Sequence, residues 1–366
     1  MSGLHVEIIP VARWSDVIKP WANLVGISDR ATVFQSPEWV ISAAQERIFV
    51  GDHFLAAVYR ESEVIGLVPL TRRGDAGQVK RLLLLGGDYN DAVFHPDWEA
   101  SGVEAFARWL RSASTRCELA DFRSLHPESV LLAHRDKFYS GRTSVHRIEH
   151  HSYPVIRLDR SWEDFRNGLS KSLREDLRYL PRRLARDHGS VVLRRAAPEH
   201  VDADMATLFR LHQSRWEAKG EEGAFATEAV RQFHLSVARG FASRGALALY
   251  TLVVEDKAIG SLYCLESRHE TVFYLCGYDP GFAFFSPVKL LLARAIEDAI
   301  SAGKSSFDFL KGEEDYKNRW QAQPRPTTRL LIGKRGFRPW FVMTGLSLQP
   351  QAKALSKRLR KAPVSS

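Results

Sequence analysis

Apolar runs and polar breaks follow one another along this chain in two successive programmes. In the first, "HFLAAVYRESEVIGLVPLTRR" sets an apolar run, a charged turn and a second apolar run, which predicts strand, turn, strand. "VKRLLLLGGDYNDAVFHP" follows as a buried strand that breaks at Gly86-Gly87 into a loop exposing Asp88, Tyr89, Asn90 and Asp91. In "SGVEAFARWLRSA", Val103, Phe106, Ala107 and Leu110 recur at helical spacing, and "CELADFRSL" predicts a further strand. Upstream, "VFQSPEWVISAA" begins a helix with Ser36 as N-cap and Pro37 in the first turn.

The second programme starts after His150-His151, a pair with no partner pattern that reads as a linker feature. Leu169, Leu173, Leu177, Leu180 and Leu184, spaced by three and four, predict one helix from Trp162 to His188, kinked at Pro181 and stopped by Gly189. "HVDADMATLFRLHQSRWEAKG" predicts a second helix, ending at Gly220. Three strands follow in "GALALYTLVVEDKAIGSLYCLESRHETVFYLCGYDP", then a loop, the helix "VKLLLARAIEDAISAG" and a last clear strand, "SSFDFL". Val64-Ile65-Gly66-Leu67 echoes Ala258-Ile259-Gly260-Ser261, each after an apolar run and a charged turn. That echo fits two divergent copies of one α/β module, or the ordinary likeness of two β-hairpins. The expected division is a module over 1–150, a basic connecting helix over 151–190, a second module over 191–340 and a basic tail over 341–366.

Composition narrows the class. With 366 residues, two domains are the natural expectation, and 45% hydrophobic with 26% charged residues is ordinary for soluble globular protein. No run approaches the about 18 apolar residues of a membrane span, and "MSGLHVEIIP" lacks the pattern of a signal peptide. The expected location is therefore cytoplasmic. Cys117, Cys264 and Cys276 have no metal-ligand spacing and read as small core residues, so no metal is expected. A net charge of +9 and a pI near 9.5 favour an anionic partner without choosing among nucleic acid, nucleotide, acidic glycan and lipid headgroup. The charge gathers in "KSLREDLRYLPRRLARDHG" and "KALSKRLRKAP". In the first the arginines form a solvated face behind the leucine row. The second reads as a flexible basic tail, with peripheral contact to an anionic inner leaflet as the functional alternative. No aromatic-rich basic platform or recognised RNA-binding signature accompanies them, so specific nucleic-acid binding is not expected.

The candidate chemistry lies late in the chain. Ser286 as N-cap and Pro287 after it place a helix N-terminus behind a core strand, where unpaired N–H groups and the helix dipole favour an anion and Lys289 adds charge. A plain structural helix is the alternative. In "DFLKGEEDYKNRW", strand alternation sets Asp308 opposite Phe307 and Phe309, as a general base whose pKa burial raises or as the orienter of a nearby Arg or Lys. Lys311 and Gly312 end the strand and are candidates to hold the acceptor. Glu313, Glu314 and Asp315 suit the start of a helix, and Trp320 suits core packing. His212, Arg215 and Trp216 share a helical face, as walls of an acceptor pocket or as a satisfied histidine beside a core tryptophan. Tyr89 and Asp91 face the acceptor from the other side if the cleft lies between modules.

The order of Tyr278, Ser286-Pro287, the helix, Asp308-Phe309-Leu310, Gly312, Tyr316-Lys317 and Trp320 resembles the GNAT acyltransferases of the cellulose-biosynthesis CelD/BcsL-like group, relatives of the Fem peptidyltransferases. "FQSPEW", "VPL" and "GGDYND" extend the resemblance over about residues 30 to 330. It implies two tandem GNAT-like modules, each a mixed, largely antiparallel sheet flanked by helices, with two strands splayed apart around a pantetheine arm. It implies an N- or O-acyltransferase using acyl-CoA or an acyl carrier, held by Tyr278, Ser286, Pro287, Val288 and Lys289, with a sugar or cell-envelope precursor as acceptor. By the same resemblance Lys317 neutralises phosphate or developing charge, and Tyr316 is a proton donor or stacking wall. Val288 departs from the pattern, since the group usually has glycine after Ser-Pro. The alternatives are a Fem-like transferase using aminoacyl-tRNA and a catalytically inactive basic scaffold or nucleic-acid-binding protein.

Overall fold

Both programmes fold as mixed sheets with helices packed on them. The computed structural model describes residues 3–74, 79–115, 117–218, 220–312, 315–336 and 338–346. Glu313, Glu314 and the basic stretch "KALSKRLRKAP" lie outside the described residues. Two compact units divide the chain: unit 1 takes Met1–Gln35, Phe49–His151 and the described part of Pro326–Ser366, and unit 2 takes Ser36–Ile48 and Ser152–Arg325.

Unit 1 holds β1 (Leu4–Pro10), α1 (Ile18–Ile27), β2 (Asp52–Arg60), β3 (Glu63–Arg73), β4 (Arg81–Leu84), β5 (Val93–Phe94), α3 (Glu99–Arg111), β6 (Leu119–Leu125) and α4 (Val130–Ala133). Its sheet runs β1-β2-β3-β4-β6 and is completed by β13 (Gln323–Lys334), whose residues from 328 to 333 pair with β6. Unit 2 holds α2 (Pro37–Gln45), the second part of β7 (Thr143–Arg157), α5 (Trp162–Gly168), α6 (Lys171–His188), β8 (Val191–Arg195), α7 (Val201–Glu217) and α8 (Glu228–Ser243). It continues with β9 (Leu247–Val254), β10 (Lys257–Glu266), β11 (Glu270–Tyr278), α9 (Pro287–Ser301), β12 (Ser306–Asp308) and α10 (Asp315–Asn318). Its strand order is β8-β9-β10-β11-β12-β7. In each unit four antiparallel strands are followed by one parallel pair, β4·β6 or β11·β12, and then an antiparallel sixth strand.

The hairpin echo is structural. β2–β3 and β9–β10 both turn on a glutamate in the left-handed region, Glu61 (φ 55°) and Glu255 (φ 50°). Both bulge at the aligned isoleucine, where the register slips beside Ile65 and beside Ile259. The glycine after it lets another element approach: a Cβ on Gly66 would run into the Phe94 ring, and one on Gly260 would meet Pro287 at 2.8 Å.

Three readings change. The leucine row spans two helices, because Leu169 is extended and the Ser170 hydroxyl caps Leu173 N at 3.3 Å; Pro181 sits inside α6 without ending it. His150-His151 is not a linker but lies within the long strand β7. "SSFDFL" is a strand only through Asp308, because Leu310 takes φ 54° and ends it. β13 comes after it as a strand the pattern did not announce.

Among the described residues no helix is long and apolar enough to cross a membrane, and no group of three or more His, Cys, Asp or Glu side chains is placed to hold a metal ion.

Candidate active site

β12 pairs with β11 only at Glu270, Thr271 and Val272, while β10 stays paired with β11 to Tyr278. From Phe273 onward β11 therefore presents an open edge. A cleft of about 230 Å³ lies in unit 2 against Cys276 and Tyr278 of this strand. Its other walls are Leu173 of α6, Arg215 of α7, Ala283 to Lys289 in part, Leu292 of α9, and Tyr316, Arg319 and Trp320 after β12. The structure thus brings Tyr278, Ser286, Pro287, Val288, Lys289, Arg215 and Tyr316 together. Trp320, buried at 2% exposure, serves both core and cleft wall.

Local chemistry explains the shape. Asp279 accepts from Gly281 N at 2.9 Å and starts a short 3-10 turn from Pro280 to Phe285. Ser286 then takes the left-handed conformation (φ 48°, ψ 59°), and the helix begins at Pro287 as the sequence predicts. Its hydroxyl makes no capping bond, however, and the amides of Lys289 and Leu290 return to the Ser286 carbonyl. The expected N-cap is a strained turn instead, of the kind that collects at ligand sites. Lys289 is not a lone cation. Its ammonium meets Asp176 at 2.6 Å, and Arg319 approaches the same carboxylate at 3.7 Å. Two positive groups share one negative one, which leaves the mouth of the cleft basic.

Arg215 is held against Cys276 Sγ at 3.3 Å and lies 5.5 Å over the Tyr278 ring. Its Nε is buried and has no hydrogen-bond partner among the described residues. His212, one turn earlier, is structural: its Nε2 accepts from Ala224 N at 3.1 Å, so Nδ1 carries the proton it donates to the Cys276 carbonyl at 2.8 Å. Burial lowers its pKa and keeps it neutral. That bond fixes the open segment of β11, and Gly277 permits it, since a Cβ there would run into the His212 amide nitrogen. Trp216 packs beside the His212 ring at 5.9 Å rather than lining the cleft.

Other expected residues stand elsewhere. Asp308 is wholly buried; it accepts from Leu310 N at 2.6 Å and from Arg325 at 3.1 Å, and Arg325 also meets Glu270 at 2.7 Å. It has the contacts of an orienter and not of a base open to substrate. Lys317 is buried and donates to the Phe309 and Lys311 carbonyls at 3.2 and 3.4 Å, tying down the end of β12. The charge expected of it at the cleft is supplied by Arg319. Exposed Lys311 and half-buried Gly312 (φ 145°) form the turn beneath Lys317 and do not line the cleft. Tyr89 and Asp91 are interior groups of unit 1: Gln35 bonds the Tyr89 carbonyl at 2.6 Å, and the Asp91 oxygens accept from Ala92 N and Val130 N at 2.9 Å each. Sequence reading missed Arg319, although it stands one helical turn after Tyr316. It also missed Arg325, which only sheet pairing brings to Asp308.

Residues 171–318, which contain every cleft wall but Arg319 and Trp320, match the acetyltransferase (GNAT) domain family. That match makes this segment similar to a GNAT acetyltransferase domain. No curated protein matches it in sequence. Among solved structures it is similar to FemX, at 10% identity and TM-score 0.61 over 86% of this chain and 95% of that one. It is also similar to the C-terminal domain of a putative lysylphosphatidylglycerol synthetase from Agrobacterium fabrum, at 14% identity and TM-score 0.57 over 91% and 96%. A conserved protein of unknown function from Bacteroides thetaiotaomicron aligns at 13% identity and TM-score 0.55 over 91% and 100%. These likenesses are of fold.

Proposed function

We propose that unit 2 moves an acyl group from the thioester of acyl-CoA, or of an acyl carrier, to an amine or hydroxyl of a sugar or another cell-envelope precursor. The observation that carries the donor is the cleft, which opens where β11 outruns its parallel partner inside the acetyltransferase-like segment. Its apolar floor of Leu173, Leu292 and Trp320 suits a pantetheine arm, and Lys289, Arg319 and Arg215 suit the phosphates at the far end of that arm. What supports the acceptor class is the resemblance of "FQSPEW", "VPL" and "GGDYND" to the cellulose-biosynthesis group.

N–H groups on the open edge of β11 polarise the thioester carbonyl and stabilise the oxyanion that forms there. The acceptor lone pair attacks the carbonyl carbon, the C–S bond breaks as the carbonyl reforms, and the thiolate takes a proton from Tyr316 in the cleft wall. The proton that the acceptor sheds passes to water, and Tyr316 is reprotonated in turn. An amine delivered neutral needs no strong base. Calorimetric titration with CoA and acetyl-CoA is the test. A measurable heat and a raised melting temperature are expected; neither signal with either ligand sinks the reading.

A further inference from the structure

Beyond the cleft mouth stands a feature that the transfer chemistry does not use. Phe284, in the turn that also supplies Ala283 and Ser286 to the cleft wall, is 62% exposed, and Tyr179 on α6 is 47% exposed. Arg183 joins them. Its guanidinium carbon lies 4.9 Å from the Phe284 centroid and 5.8 Å from that of Tyr179. Its Nη1 donates to the Tyr179 hydroxyl at 2.6 Å, and its Nε donates to Asp187 at 3.0 Å. A guanidinium held on three sides is preorganised, so a flat partner costs little further ordering. Arg182 and Arg186, four apart on α6, stand exposed on the face next to that of Arg183, and Arg186 Nε donates to Asp187 at 2.8 Å. From Asp176, which grips Lys289 at the cleft mouth, to Arg183 is about 10 Å along the helix.

We propose that the Tyr179–Arg183–Phe284 stack seats the purine nucleotide of the donor, with the base against the Phe284 and Arg183 planes and the ribose phosphate toward Arg182 and Arg186. The inference rests on the reading that the donor is a coenzyme A thioester. Aromatic and guanidinium planes stack on any base, and neighbouring arginines meet phosphate. Phe284 meets the Phe285 ring edge-on at 5.2 Å, yet it and Tyr179 keep about half or more of their surface exposed near the basic cleft mouth.

The experiment compares CoA with pantetheine, which keeps the arm and lacks the nucleotide, by calorimetry on the full chain. Wild type binds CoA more tightly than pantetheine. Phe284→Ala and Arg183→Gln weaken CoA about ten-fold, the effect of losing one base stack, and leave pantetheine unchanged. Equal weakening of both ligands, or of neither, overturns the seat while leaving the donor reading in place. Wild type binding neither ligand overturns the donor reading, and the seat with it. Melting temperatures of both variants, expected within a few degrees of wild type because Phe284 is largely and Arg183 partly exposed, guard against misfolding as the cause. Tyr179→Leu supplies a second arm if Arg183→Gln fails that control.

Discussion

Unit 1 sets β4 beside β6 as unit 2 sets β11 beside β12: a short parallel pair with a buried Asp-Phe, Asp121-Phe122 within β6 or Asp308-Phe309 at the end of β12. An arginine that β13 carries meets each aspartate. The units part company at the end of the first strand of the pair. After β4 the chain folds back at once: Asn90 donates to the Arg123 carbonyl on β6 at 3.3 Å, and Asp91 is bonded by backbone amides. After Val272, β11 runs on to Tyr278, the chain leaves through the strained turn at Ser286, and a cleft remains. One sheet plan thus ends in a closed scaffold or an open cleft according to one loop.

The sharpest test of the comparison is at the two aspartates. Asp121 accepts from both Arg329 and Arg123, and Arg329 is itself buried; Asp308 shares Arg325 with Glu270. Asp121→Ala leaves a buried guanidinium uncompensated and should cost about 3–5 kcal/mol. Asp308→Ala leaves Arg325 a partner and should cost about 1–3 kcal/mol. Urea unfolding that ranks them the other way breaks the comparison.

Gly277→Ala comes next, because its Cβ meets backbone, which cannot step aside. A loss of about 1–3 kcal/mol is expected, with weaker CoA binding because the His212 bond to Cys276 shifts. Unchanged stability would show that α7 does not fix β11. A third expectation concerns the cleft itself. Val288→Trp, at its half-buried wall, should lower CoA affinity ten-fold or more with little change in melting temperature; unaltered affinity places the donor elsewhere. Arg215→Met should weaken CoA by a smaller factor, read by the same titration.

The smallest effects are in pH dependence, and their signs differ between units. In unit 2, burial pushes His234 down to about 3. The unfolded chain then takes up a proton that the native state refuses, so this contribution is full above about 6.5 and is lost as pH falls toward 3. In unit 1, burial raises Asp91 to about 7, against hydrogen bonds from Ala92, Ser129 and Val130 that lower it. Its contribution is full below about 3.9 and is lost as pH rises through 7. His234→Phe should flatten the low-pH side of a stability profile, and Asp91→Asn the fall toward neutrality. A profile that neither variant alters refutes both assignments.

What the sequence determined is local. The apolar alternation set the two hairpins, their glutamate turns and the glycines after each bulge, and the Ser-Pro pair placed the start of α9. The cleft wall from Tyr278 to Lys289, with Tyr316, was legible because those residues sit within a few positions of one strand end and one helix start. Only the tertiary structure decided the rest. β13, reached after all of unit 2, completes unit 1, and β7, reached before β8, completes unit 2. Arg329 meets Asp121 across 208 positions and Lys289 meets Asp176 across 113, and no spacing rule marks either pair. Lys317 looks like a surface cation in the sequence; the turn at Leu310 and Gly312 buries it under two carbonyls and leaves Arg319 at the cleft. Periodicity fixes which face of an element is buried, but a charge is given its role by whichever strand or helix comes to lie beside it.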